Sequence, residues 1–362
     1  MAEKTIHPTP LHQWIVDLWV AAGAGATEAR RCADHLVLAN LSGHDSHGVG
    51  MIPRYVDSYL NNELQLNQSA EIVHDAGGMI TVDGKRGMGQ HVTTQAMEMA
   101  IARAKQHGVC ILGLKNAHHL GRVGHWAEQA IAAGLTSVHF TNAVSQWWVA
   151  PHGAAEARFV TNPFTVGIPM VNGEHILLDF ATSAIAQGKV RVAYNKGVEV
   201  PPGCLIDHTG APTNNPGTIF DPVDGKIGAL VTMGAHKGYA LAVVCELLGA
   251  ALTGGETTRP DNKPTHGIWN NMLAIVFDTE RLGTGAHFGS EAAAFVEWVK
   301  SARTQPGFSE ILVPGDPERK ARKARADGFL IDTETLAQMD RASARIAAKH
   351  GKSPGPVSGM AR

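Results

Sequence analysis

Apolar residues recur at helical spacing between residues 10 and 60, with Leu11, Ile15, Leu18 and Trp19 on one stretch and Ala33, Leu36, Val37 and Leu41 on the next. That period predicts an opening layer of α-helices. From 71 to 82 the pattern changes to a β-like run closed by Asp83-Gly84, and a helix is predicted over 93–106. Short apolar runs at 109–114, 136–141, 164–168, 176–180 and 272–277 read as strands, with helical patterns such as 124–133 between some of them. Alternation of this kind argues for an α/β body around a central sheet. Residues 198–224, rich in Pro, Gly and Asn, read as a surface excursion, 239–252 as a buried core helix and 290–302 as an amphipathic helix. A charged helical segment over 319–350 then leads into a tail, 351–362, expected to fray.

Composition narrows the partners. A chain of 362 residues, 44% hydrophobic and 18% charged, suits two or three domains with a sizeable core. The formal net charge of -2 supplies no basic field for nucleic acid or an anionic membrane, so a small-molecule partner is expected. Cys32, Cys110, Cys204 and Cys245 are far apart and form no C-x-x-C pair, which points to reduced thiols. The first residues lack the pattern of a signal peptide, and no apolar stretch reaches the length of a membrane span. The expected location is cytoplasmic.

Two glycine-rich stretches imitate a dinucleotide fingerprint. Gly23 to Ala29 follows a helical period rather than a strand, so it reads as one helix ending at Gly23 and another capped by Thr27. Gly87-Met88-Gly89-Gln90 lies between a strand and a helix but lacks the third glycine and a suitably spaced acid, so it reads as a turn. A dinucleotide, if bound, is bound without the usual fingerprint.

The chemistry concentrates in four places. His44-Asp45-Ser46-His47-Gly48 groups two imidazoles, a hydroxyl and a carboxylate, with Arg54 and Tyr55 close behind. Imidazole suits proton transfer near neutral pH, and a guanidinium suits a carboxylate, so His47 and Arg54 are candidates. The pentapeptide alone fits a polar helix terminus equally well. Asn116 to Gly124 follows a strand, where α/β proteins bind ligands, and offers His119 and Arg122 for substrate or cofactor. Asp179 to Ser183 also ends a strand; Thr182 or Ser183 would cap the next helix, while Asp179 could accept from an imidazole, bind a ribose or simply mark the helix entry. His236 and Lys237 open the long apolar helix, where an anion could sit. No metal site is expected despite nineteen histidines, because H-E-x-x-H and other recognisable ligand spacings are absent. Nor is there a G-x-S-x-G nucleophile.

Gly-His-Asp-Ser-His-Gly, Asn-Ala-His-His-Leu-Gly-Arg, Leu-Asp-Phe-Ala-Thr-Ser-Ala, His-Lys-Gly-Tyr-Ala-Leu and Leu-Val-Pro-Gly-Asp-Pro-Glu occur here in one order. Together they resemble the type 2 malate/L-lactate dehydrogenase family, over about residues 11 to 348, and within it the hydroxycarboxylate dehydrogenase branch. The resemblance implies an α/β, non-Rossmann NAD(P)-binding fold with a central mixed sheet. A mainly helical domain (1–75 and 285–362), with substrate cleft and dimer contacts, would pack on an α/β cofactor-binding domain (76–284). It also implies a homodimer, NAD as cofactor with NADP open, and interconversion of small 2-hydroxy and 2-oxo acids. The family's cyclic imino acid reductases supply an alternative reaction, and a catalytically silent ligand-binding homologue is a further one. His47 would move the proton with support from Ser46 and Asp179, and Arg54, His119 and Arg122 would hold substrate. Cofactor contacts would come from His47, Gly121, Arg122, Val123, Asp179, Phe180, Ala181, Thr182, Ser183, His236, Lys237, Asn270, Asn271, Gly315, Asp316, Pro317 and Glu318. One departure stands out: many members carry Arg four residues after the catalytic His, and this chain has Met51.

Overall fold

The computed structural model describes residues 3–362; Met1 and Ala2, the start of the N-terminal stretch read above, lie outside the described residues. In chain order the chain forms β1 (Glu3–Ile6), α1 (Pro8–Ala21), α2 (Ala26–Leu41) and α3 (Ile52–Leu60). Next come β2 (Glu71–Asp75), β3 (Met79–Asp83), α4 (Gly89–His107), β4 (Val109–His118), α5 (Gly124–Ala132), β5 (Thr136–Val144), β6 (Pro163–Ile168), β7 (Ile176–Ala181) and α6 (Gln187–Lys196). The chain continues with β8 (Leu205–Ile206), β9 (Pro212–Thr213), β10 (Ala229–Leu230), α7 (His236–Val244) and β11 (Trp269–Phe277). It closes with α8 (Gly285–Lys300), α9 (Asp316–Ala324), β12 (Phe329–Asp332) and α10 (Thr333–His350).

The molecule is a mixed α/β structure whose seven-stranded sheet has the order β2-β3-β4-β11-β5-β6-β7. Only β3 and β4 pair in parallel in it; every other neighbour is antiparallel. A parallel pair needs a crossover, and α4 supplies it. The run at 71–82 is a hairpin, β2 and β3, because Gly77 with φ +74° turns the chain between two strands.

The N-terminal helices and the C-terminal segment share one core. Trp14, Leu18 and Trp19 of α1 and Leu36 of α2 pack with Ile52 and Tyr55 of α3, Leu336, Met339 and Ile346 of α10, and Val357. A second core joins the sheet to α4 and α5 through Val82, Met97, Leu112, Leu114, Trp126 and Met272. Among the described residues no helix is long and apolar enough to cross a membrane. All four cysteines are free and buried.

Several local expectations change. Gly25, not Thr27, caps α2, since the helix already includes Ala26. The tail does not fray: Thr5 and Arg362 exchange two backbone hydrogen bonds, Trp14 Nε1 donates to Gly355 O at 2.7 Å, and Val357 is fully buried. The strand predicted over 109–114 runs on to His118, because β11 stays paired with it to Trp269. The apolar stretch 239–252 continues α7 into a π-helical turn, Cys245–Ala251, and leaves Leu247 55% and Leu252 65% exposed. On α8, too, Phe295 and Trp298 face outward.

Candidate active site

The chain leaves α2 at Leu41 and makes two 3-10 turns, Asp45–His47 and Val49–Met51, before α3. Asn40 holds both: its Nδ2 donates to Asp45 at 2.7 Å and its Oδ1 accepts from Val49 N at 2.8 Å. A side chain at Gly48 would run into that amide, with a Cβ 2.1 Å from Oδ1. His47 is thereby fixed by a polar brace, with Ser46 Oγ 3.0 Å from its Nδ1. His47 is only partly exposed. Burial and the nearby His44 pull its pKa down to about 4, against the opposing pull of Asp179. His47 is therefore a neutral base at pH 7.

His119 lies beside it, the two rings near-parallel with centroids 5.7 Å apart. Its Nδ1 is 2.7 Å from the hydroxyl of Tyr55. Gln90 Nε2 donates to that hydroxyl at 3.0 Å and to His119 O at 3.1 Å. With Gln90 filling an acceptor site, the buried phenol proton goes to His119 Nδ1, the other group within hydrogen-bond distance of it. His119 then carries its own proton on Nε2. Burial, with the charges of His47, His118 and Arg54, holds it neutral well below the ordinary histidine range. A base and a fixed N–H donor thus stand side by side. Gly89 makes this possible, since a Cβ there would lie 2.1 Å from His119 O. The second glycine decoy serves close backbone packing.

Arg54, on α3, is held by Ser145 Oγ at 3.2 Å and Gly267 O at 3.1 Å, while its buried Nε has no partner. Met51, four residues after His47, packs against the helical core. Arg122 is 2% exposed, pairs with Glu128 through Nη2 and leaves Nη1 buried without a partner. Asp179 accepts from Thr165 Oγ1 and Gly124 N, both at 2.8 Å, and acts on His47 through space; of the alternatives open for it, the imidazole hydrogen bond is not formed. Helix α9 closes the group: its Glu318 binds His44 at 3.0 Å, and its Arg322 pairs with Glu128.

Most of the other expected side chains are engaged within the protein. Thr182 spends its hydroxyl on Thr161 O and Asn162 O, Ser183 on Ile185 O, and the Phe180 ring packs on Phe164. Asn271 is fully engaged by Asn116 N, Asn142 Oδ1 and Glu256 O, and Asn270 by Leu120 N and Asn142 O, so both tie β11 to the segment carrying His118 and His119. Gly315, at φ +98°, caps α9; Asp316 binds Val313 N and Arg319. His236 and Lys237 are exposed at the start of α7, beside a cavity of about 580 Å³ lined by His152, Ala184, Thr232 and Ala235. His47 and His119 do not line that cavity. Among the described residues no group of three His, Cys, Asp or Glu side chains could hold a metal ion.

The family model described as malate/L-lactate dehydrogenase matches residues 6–340. The chain belongs to this family. It is 46% identical to hydroxycarboxylate dehydrogenase B of Escherichia coli O157:H7 over 88% of this chain and 87% of that one. It is 38% identical to the L-lactate dehydrogenase of Cupriavidus necator, over 92% and 95% of the two chains. A solved E. coli structure described as a malate/lactate dehydrogenase superposes with a TM-score of 0.90 at 43% identity, covering 94% of this chain and 95% of that one. The enzyme is thus an oxidoreductase acting on hydroxy acids, and the family implies a nicotinamide cofactor.

Gln90, His35, Glu128 and Arg322 were not singled out by sequence, and Tyr55 was noted behind the histidine cluster without a role. No local pattern marks them, because their partners lie elsewhere in the chain.

Proposed function

We propose that the enzyme interconverts small 2-hydroxy acids and 2-oxo acids, of malate, lactate or hydroxypyruvate type, with NAD or NADP. The observation that carries this is the paired neutral imidazoles, His47 held at Nδ1 by Ser46 and His119 with its donor nitrogen fixed by Tyr55. The residues fit a dinucleotide at the turn before α5. A Cβ at Gly121 would lie 2.1 Å from His35 and one at Gly124 2.7 Å from Asp179, so only bare backbone passes there, beside the orphaned Nη1 of Arg122. Gly121 to Val123, Asp179 to Ser183, His236 or Lys237 and Gly315 to Glu318 would hold it, while Asn270 and Asn271 shape the strand ends. When bound, the cofactor accepts or supplies the hydride at C2 of the substrate.

His47 takes the hydroxyl proton in oxidation and returns it to the oxo oxygen in reduction. His119 donates from Nε2 to the same oxygen and stabilises the charge that develops there. Arg54, with its free Nε, holds the substrate carboxylate in place of the family arginine that Met51 replaces. A division into 1–75 with 285–362 and 76–284 is supported by the two largest cores, although Met88 packs in the first and Ala70 in the second, and the exposed Leu247, Leu252, Phe295 and Trp298 suit a homodimer.

A panel of 2-oxo acids against cyclic imino acids, with NADH and NADPH, tests the reading by loss of reduced-cofactor absorbance. Turnover of imino acids alone would replace it with C=N reduction, and binding without turnover with a silent homologue. His47→Ala should lose about 100-fold or more in kcat while folding normally.

A further inference from the structure

The backbone N–H of Arg122 donates to Nε2 of His35, on α2, at 2.9 Å. His35 is 1% exposed, so this N–H has no water to fall back on if the acceptor is removed. The same nitrogen would lie 2.1 Å from a Cβ on Gly121, whose φ is +72°. The edge of the imidazole is therefore the floor on which the Gly121–Arg122 turn lies. The rings of His125 and Trp126, from the helix that this turn opens, hold His35 with centroids 4.6 and 5.2 Å away. Accepting at Nε2 puts the ring proton on Nδ1, which is buried without a partner. An apolar side chain would avoid that orphaned N–H, so the position is explained by the acceptor. Burial, reinforced by His125 and Arg122, keeps the ring neutral well below the ordinary range, so the acceptor persists at physiological pH.

We propose that His35 is a positioning residue for the dinucleotide, fixing through its Nε2 acceptor the conformation of the Gly121–Arg122 turn that receives the cofactor, without touching the cofactor itself. This rests on the reading that the turn binds the dinucleotide.

The Kd values for NADH and NADPH, measured by protein-fluorescence titration, are compared across wild type, His35→Leu, His35→Asn and His35→Gln, together with the Tm of each cofactor-free protein and its kcat at saturating cofactor. Gln brings its amide oxygen to the place of Nε2; Asn stops one methylene short. His35→Leu and His35→Asn should bind about tenfold more weakly with kcat within about threefold, and His35→Gln should recover to within about threefold of wild type. Should His35→Leu fail to fold, the Asn and Gln variants decide in the same way. Equal Kd values in wild type and His35→Asn overturn the proposal, as does a Kd that follows Tm equally in Asn and Gln. Wild-type protein that binds neither dinucleotide overturns the reading of the turn and this inference together.

Discussion

A single phenol hydroxyl decides which nitrogen of His119 carries the proton. Tyr55→Phe keeps the buried ring of a core residue but removes the donor to Nδ1, leaving His119 free to place its proton on either nitrogen. We expect kcat to fall by roughly 10- to 100-fold, the range of one lost general acid-base or oxyanion contact, with a cost in stability of about 1 kcal/mol. Unchanged kcat would remove His119 as donor. On the proposed mechanism the pH profile belongs to His47, because kcat/KM reports the free enzyme. Hydroxy-acid oxidation needs the neutral ring, so its kcat/KM should be level from neutral pH down to the onset of acid unfolding. Oxo-acid reduction needs the protonated ring, so its kcat/KM should fall as pH rises above about 4; the same slope in both directions would exclude His47 as the group responsible. His47 was legible because its neighbours Ser46 and His44 are adjacent in sequence. Tyr55, Gln90 and His35 were not, because the contacts that give them roles span 64, 35 and 87 residues.

Among the elements, long periodic helices and short β-branched runs announced themselves, and what the chain hid was pairing between distant ends. β1 joins β12 across the whole sequence, and the tail lies in the groove between α1 and α10. Its composition of Gly, Pro and Ser carries no period, so it resembles a frayed end although Asp340 Oδ1 accepts from Val357 N at 2.6 Å and Ser343 Oγ donates to Pro354 O at 2.9 Å. A chain ending at Lys352 loses the burial of Val357, about 2 kcal/mol, and hydrogen bonds worth about 1 kcal/mol each. Urea unfolding should show a loss of roughly 3–5 kcal/mol with the m-value little changed. An unmoved midpoint would mean that the tail contributes nothing to the helical core. Strand ends at the site were also hidden, since β4 continues through the polar residues Lys115 to His118 only because β11 and its asparagines pair with them.

At the scale of the molecule, the histidines that make the site also set how it tolerates acid. Burial pulls His118 and His139 to about 3 and His125 to about 4, the first and last with added repulsion from Arg54 and Arg122 respectively. In the unfolded chain each returns to about 6.5. The folded values are lower, so between pH 6.5 and 4 the unfolded chain binds more protons: stability is complete above about 6.5 and is lost as pH falls. At pH 5 each of the three costs about 2 kcal/mol, together about 6 kcal/mol against a usual total of 5–15. Cooperative unfolding is therefore expected near pH 4 to 5, followed by tryptophan fluorescence and urea midpoints at pH 7, 6 and 5. His139 lies on β5 and bonds only Ser137, at 2.9 Å, which makes it the residue on which to test the cause. His139→Gln can keep that hydrogen bond but cannot take up a proton, so the fall in unfolding free energy between pH 6 and 5 should be smaller by about 1.2 kcal/mol. An unaltered slope would show that His139 is not held neutral in the fold, leaving His118, His125 and the carboxylates paired around α9 to account for the acid sensitivity.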